Sequence, residues 1–185
     1  MKSKTLHLSD WRPRQGGFTL VELMVTVALL AVILTLGVPS FTDLLRSWQR
    51  DVATRAFTGH VRMARSEAIK TSQQVVMCTS ADGAGCAGDN NWMAGWIVFM
   101  DRDGDLAVDA PDDTILATQG PLSGLVRMQT NNNVNDFFFL PSGLMPTRQS
   151  TLRIEAQGSE SVAQNAVTIS STGRISVSKE PKGTP

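Results

Sequence analysis

Polar and apolar positions change rhythm twice along this chain. From Leu23 to Val38 only Thr26 and Thr35 interrupt an apolar run. A helix that is apolar all round belongs in a membrane or inside a larger bundle. With "FTLVE" in front, the run reaches 21 residues, about 32 Å as a helix and long enough to span a bilayer. Past Pro39 the apolar positions narrow to one face. Phe41, Leu44, Leu45, Trp48, Val52, Phe57, Val61, Ala64 and Ala68 recur at spacings of three to five, with arginines between them, which is the period of an amphipathic helix. Proline removes a backbone donor, so the pattern predicts a kinked or loosened turn near Gly37–Pro39 within an S-shaped helix of about 50 residues.

From residue 75 the texture becomes β-like. "QVVMCTS", "GWIVFMD", "DTILATQ", "LVRMQT", "DFFFLP", "TLRIEA", "AVTISS" and "GRISVS" are short β-rich runs separated by Gly, Asn, Asp and Pro, the punctuation of turns between strands. The predicted organisation is a basic leader over 1–17, a transmembrane or filament-core helix over 18–38 and the amphipathic half of that helix over 39–74. A β-rich head occupies 75–178, and "KEPKGTP", 179–185, reads as a flexible tail. The fold class is α+β, a long N-terminal helix packed on an antiparallel sheet or β-sandwich-like head.

Charge refines this picture. The formal net charge is zero, but residues 39–71 carry six Arg/Lys against three Asp/Glu, and residues 72–133 two against eight. Such segregation suits packing of like subunits or is a chance arrangement of solvated charges, and it offers no general basic footprint for nucleic acid. Lys2, Lys4, Arg12 and Arg14 precede the apolar run, favouring a cytoplasmic N-terminus and an exported remainder. A secretory signal would have a shorter apolar core, with its cleavage site after it. Here Gly16 and Gly17 come first, which points to a cut on the cytoplasmic side and a retained helix. Glu22 is the one charge inside the apolar segment. A carboxylate at membrane depth costs about 2.5–3.5 kcal/mol on insertion scales, so a purpose is expected for it.

"GFTLVEL" brings these features together: basic leader, glycine, aromatic residue, then Glu as the fifth residue after the glycine. It resembles the class III signal of type IV pilins and type II secretion pseudopilins. The resemblance implies that a prepilin peptidase cuts after Gly17 and methylates the new N-terminus, Phe18. It also implies that Pro39 softens the helix, and that Glu22 meets the Phe18 amine of a neighbouring subunit. That pair would neutralise two buried charges and set the axial register, as a buried polar residue does in coiled coils. "ARSEAIKTSQQVVMCTS", "WMAGWIVFMDRDGD", "FFFLPSG" and "TISSTGRIS" come in the order seen in GspH/FimT/FimU-type minor pilins. That branch implies a structural subunit of low abundance that initiates or caps a type IV pilus, with other minor and major pilins as partners. It would sit in the inner membrane, head in the periplasm, and then in the filament. A minor pseudopilin of type II secretion and a DNA-binding pilin for uptake are the alternatives.

Four constellations bear on chemistry. Cys78 and Cys86 can pair if the head is exported to an oxidising space, and are otherwise two thiols; their spacing fits no common zinc pattern. Asp101, Asp103, Asp105, Asp109, Asp112 and Asp113 crowd one loop. Alternate aspartates begin calcium loops, but the sixth and twelfth positions hold Leu106 and Asp112 instead of Gly and Glu, and Asx turns explain Asp-Gly equally well. Calcium at Asp101, Asp103 and Asp105 is therefore the lesser reading, and no other cofactor is expected. DNA-binding FimT-like pilins are known for a Gly-Arg-x-Arg turn. Gly173, Arg174 and Ile175 match it, but Ser176 replaces the second arginine. Arg174, Lys179 and Lys182 would give weak, salt-sensitive contact. The arginine row Arg46, Arg50, Arg55, Arg62 and Arg65 reads as a solvated helix face, and Trp92 and Trp96 as packing aromatics. His60 has no partner carboxylate or nucleophile in view, so no enzyme is expected.

Overall fold

The computed structural model describes residues 17–109, 111–146, 149–159 and 162–182, apart from the side chains of residues 36, 37 and 39. All of the predicted leader except Gly17 lies outside the described residues. The chain forms two compact units, one up to Ser40 and the other from Phe41 onward.

Helix α1 runs from Leu20 to Thr71 and contributes to both units. Its backbone stays helical across Pro39, where the pattern predicts a loosened turn; a proline forfeits only its own donor, and the flanking bonds carry the helix through. In the first unit the apolar side chains from Val21 to Val38 are 51–68 % exposed on every side of the helix. In the second unit the stripe divides. Phe41, Leu44, Leu45, Trp48 and Val52 remain exposed, whereas Ala53, Phe57, Val61, Ala64 and Ala68 are buried. α1 ends without a glycine, Ser72 taking the left-handed conformation at φ 55°.

Eight strands complete the chain: β1 (Gln74–Thr79), β2 (Trp96–Asp101), β3 (Thr114–Gln119), β4 (Val126–Thr130), β5 (Asp136–Phe139), β6 (Ser150–Ala156), β7 (Gln164–Ile169) and β8 (Ile175–Glu180). Each falls on one of the eight predicted runs. They form two four-stranded sheets, β3-β2-β1-β5 and β4-β6-β7-β8, and all six pairings are antiparallel. The alternation in β6, where Leu152, Ile154 and Ala156 are buried between half-buried polar neighbours, is what a sheet with one wet face requires.

One apolar cluster joins the buried stripe of α1 to both sheets, through Val75, Met77 and Val98 from one and Met128, Leu152 and Val167 from the other. Phe57 sits at its centre, edge-on to Trp92, Trp96 and Phe137 at ring distances of 5.4, 5.6 and 6.0 Å, the geometry aromatic quadrupoles favour. Both indole N–H groups are satisfied, Trp92 donating to the Val134 carbonyl and Trp96 to His60 Nδ1. The tryptophans are core, as predicted.

Two expectations need correction. Lys179 and Glu180 belong to β8 instead of a flexible tail: Lys179 is paired with Asn165, and Glu180 accepts from Arg153 and Gln164. The arginine row is also not one solvated face. Arg50 is 4 % exposed; it donates twice to Asp51 and once to the Ala163 carbonyl. Asn165 donates to Asp51 and to Thr54, so α1 is clamped to β7. Burial pushes the Asp51 carboxyl up, but the Arg50 and Asn165 bonds, with the charges of Arg50 and Lys179, hold it below the usual range. A buried guanidinium is tolerated only with such partners.

Candidate functional site

The N-terminal end of α1 is organised by a cap. Thr19 Oγ1 accepts from the Glu22 amide at 3.2 Å, and the Thr19 carbonyl accepts from the Leu23 amide at 3.1 Å. Thr19 is thus the N-cap, and Glu22 lies three residues on, the spacing of a capping box. Thr-x-x-Glu is legible in the sequence as a helix start, inside the longer signal that overlaps it. A carboxylate there faces the positive end of the helix dipole. Among the described residues its side chain has no partner. Phe18, just ahead of the cap, is 83 % exposed. This end therefore presents one carboxylate without a partner among the described residues, close to the exposed Phe18, on a helical stretch whose apolar side chains are uncovered.

A second exposed surface lies on the head. Trp48 and Val52 border an apolar groove of about 210 Å³ closed by Leu122 and Val126. Phe41, Leu44 and Leu45, also exposed, precede Trp48 at helical spacings on the same element, and exposed apolar surface of this kind marks interfaces.

Cys78 and Cys86 are joined in a disulfide. The loop inside it is organised by Asp82, which accepts from the amides of Ala84 and Gly85 and from Ser80; those bonds hold its carboxyl below the usual range. Cys78 is buried on the second apolar cluster with Val76, Ile97 and Phe99, so the bridge ties an exposed loop to the sheet.

The acidic loop brings Asp101, Asp103, Asp105 and Asp113 together, one oxygen of each within 4.8 Å of the others; Asp109 and Asp112 are not in that group. Asp101 is 1 % exposed, and its oxygens already accept from Gly104, Leu106 and Gln74. Asp113 accepts from the amides of Arg102 and Asp109. The Asp105 amide lowers the Asp103 carboxyl, but desolvation and the carboxylates of Asp105 and Asp113 push it up overall. These are the bonds of Asx turns, and Asp103 and Asp105 each accept one more, from the amides of Asp105 and Ala107.

The predicted basic group comes apart. Arg174 lies in the β7–β8 turn, and Lys179 is five positions on, about 16 Å along a strand at the usual rise. Lys182 donates to the Ser159 carbonyl. Arg174 instead meets two residues of the helix's arginine row: Arg62 and Arg65 line a cleft of about 410 Å³ with it, together with Ser66 and Ile69. Arg65 is partly committed, its Nε donating to the Gly143 carbonyl at 2.9 Å. Gly173 has a packing reason of its own. Its φ is +71°, and an added Cβ would stand 2.5 Å from the Gly143 carbonyl oxygen. The Gly-Arg turn is thus required by the fold whatever it binds.

His60 accepts from Trp96 at Nδ1, and burial pushes its imidazole below its ordinary value. It is a core acceptor with neither a carboxylate nor a nucleophile beside it among the described residues.

A long N-terminal apolar helix together with two antiparallel sheets defines a pilin-like fold, and comparisons with known proteins agree. Residues 53–173 match the family Type II transport protein GspH, and residues 12–38 match the prokaryotic N-terminal methylation motif. The chain belongs to the GspH family. A search of curated proteins found no match. Among solved structures, the type IV minor pilin FimU of Pseudomonas aeruginosa aligns at 20 % identity and a TM-score of 0.50, covering 69 % of this chain and 87 % of that one. The minor pseudopilin EpsH of the Vibrio cholerae type 2 secretion system aligns at 16 % identity and a TM-score of 0.50, covering 71 % and 97 %. These likenesses establish the fold. The family is one of structural subunits.

Proposed function

We propose that this chain is a minor pilin that helps to start a type IV pilus or to cap its tip. The observation that carries this reading is the unpartnered Glu22 carboxylate near Phe18, at the start of a helix whose N-terminal apolar stretch is uncovered by its own chain. On this reading prepilin peptidase cuts between Gly17 and Phe18 and methylates Phe18. The retained helix holds the protein in the inner membrane with its head in the periplasm until assembly. In the filament, Glu22 of one subunit meets the Phe18 amine of the next, and each removes the other's desolvation cost. A minor pseudopilin of type II secretion would use the same parts, and the family's name keeps that assignment as the second reading.

The test is to follow the wild type and Glu22→Ala in the producing cells. Intact mass should place the mature N-terminus at methylated Phe18 in both. Glu22→Ala should insert into the membrane normally and lose at least about tenfold in filament incorporation, the effect of leaving a buried amine unpaired. An N-terminus beyond residue 38, or full incorporation of the variant, sinks the reading.

A further inference from the structure

The cleft between the second half of α1 and the β7–β8 turn is cationic without local compensation. Arg62, Arg65, Ser66 and Ile69 stand at i, i+3, i+4 and i+7, one face of the helix, and Arg174 reaches the cleft from the turn. None of the residues lining it is acidic. Glu67 lies on another face of the helix, where Lys70 donates to both its oxygens. Arg62 and Arg174 are exposed, and their guanidinium groups have no partner among the described residues. Arg65 engages only its Nε, on the Gly143 carbonyl.

The fold holds these three groups together. A Cβ on Gly173 would stand 2.5 Å from the Gly143 oxygen and 2.7 Å from Arg65 Nε, so the turn that carries Arg174 is seated directly against the helix. Like charges gathered in this way repel one another, and an anion between them relieves the repulsion.

The opposite charge lies on the other flank of the head. Residues 72–133 carry eight Asp/Glu against two Arg/Lys. Asp101, Asp103, Asp105 and Asp113 are engaged in the turns of their own loop. Asp109 and Asp112 are exposed, and their carboxylates have no partner among the described residues. Gln74 pairs with Asp101 and Val75 with Phe139, so the β2–β3 loop and the turn at Gly143 leave the sheet at the same end. The order β3-β2-β1-β5 sets them on opposite sides of it, two to three strand spacings apart, about 10–14 Å. No ion pair joins the loop to the cleft within the chain among the described residues.

We propose that the cleft of Arg62, Arg65 and Arg174 is an interface for a second copy of this chain, and that it receives Asp109 and Asp112 of that copy's β2–β3 loop. Guanidinium–carboxylate pairs give such a contact direction as well as attraction. Ile69, 50 % exposed in the cleft, is the apolar surface that closure would dry, which strengthens the pairs beside it. The contact is heterologous: each copy offers its loop to one neighbour and its cleft to another, so association propagates instead of stopping at a pair. A duplex also brings negative charge, but three guanidinium groups make few phosphate contacts, and the acidic excess of the same head opposes a long polyanion. Two carboxylates on one loop match the cleft better. The inference goes beyond the pilus reading and does not rest on it, because the contact lies wholly between heads.

The full-length chain supplies both sides of the test. Two differently tagged copies are produced in the same membrane, one with Ser66→Cys in the cleft and the other with Ala107→Cys in the loop. A short bismaleimide then reads their proximity. The crosslinked pair should form. Adding Arg62→Glu and Arg174→Glu to the first copy should lower its yield at least about tenfold, as should adding Asp109→Lys and Asp112→Lys to the second, because like charges then face each other. With both sets present the charges are exchanged, and most of the yield should return. Absence of the crosslink, an equal yield in all four combinations, or a loss that the exchanged pair does not recover overturns the proposal. Binding of duplex DNA that the arginine changes abolish, with the crosslink yield unmoved, assigns the cleft to phosphate and overturns it as well. If the reversed chains do not fold, the native charges decide. Raising salt from about 0.1 M to about 1 M shortens the screening length from about 10 to about 3 Å and should cut the yield at least about threefold. A yield indifferent to salt overturns the proposal.

Discussion

Residues 21–38 and residues 53–68 lie on one helix and are both rich in apolar side chains, yet their surroundings are opposite. In the first segment Leu, Val, Ile and Met project in every direction and more than half of each is uncovered. In the second, Ala53, Phe57, Val61, Ala64 and Ala68 form one stripe that both sheets cover completely, while Arg55 and Arg62 on other faces stay in water. The period of the apolar positions explains the difference. A stripe can be satisfied by one surface of the same chain, whereas an all-round apolar helix needs lipid or other helices. Half of α1 is thus stabilised by its own fold, and the other half by what surrounds the molecule.

The sharpest way to break that comparison is to hollow out the covered half. Phe57→Ala leaves a cavity between Trp92, Trp96 and Phe137 and should cost the head about 3–5 kcal/mol. Urea unfolding of the full chain in mild detergent, followed by tryptophan fluorescence, reads the loss directly. The proposed cleavage after Gly17 should be unaffected, because Phe57 packs against Trp92, Trp96 and Phe137. A smaller effect is expected from the bridge. Cys78→Ser with Cys86→Ser removes a ring nine residues long, worth about 2.5 kcal/mol by chain entropy. The same unfolding curve should shift its midpoint, and an unchanged midpoint would show that Asp82 and its amide donors organise the loop alone.

The smallest effect concerns pH. His60 is held below its ordinary value by burial, so the unfolded chain binds its proton more readily than the folded one. Its contribution to stability is complete above the unfolded value of 6.5 and falls away as pH drops from there through the folded value. Protonation also cancels the acceptor that Trp96 uses. Head stability should decline modestly between pH 7 and pH 5, and less so in His60→Gln, as read from melting curves at several pH values. Equal declines would acquit the imidazole.

Much of this fold is legible in the sequence because its signals are local. All eight strands show as β-branched or aromatic runs between turn residues, and the boundary between the two helical textures shows in the residues around Pro39. The features that escape a sequence reading depend on partners distant along the chain. Arg50 looks like its neighbours in the arginine row until Ala163 and Asn165 arrive beneath it. Lys179 looks like the start of a loose tail until the β7 register makes it the mate of Asn165. Arg62 and Arg65 gain meaning only when the β7–β8 turn carries Arg174 to them. The Thr19–Glu22 cap is different: its signal is local and plain, but the stronger processing motif lies over the same residues.

The clamp between α1 and β7 has a consequence for mechanics. Arg50, Asp51 and Thr54 grip Ala163 and Asn165 within little more than one helical turn, and farther along Arg65 holds the turn at Gly143. Traction along the helix axis would strain the first group as a set, in shear, instead of opening its bonds one after another. A subunit pulled through its helix would pass that tension into the sheet as a single sudden step, without gradual peeling.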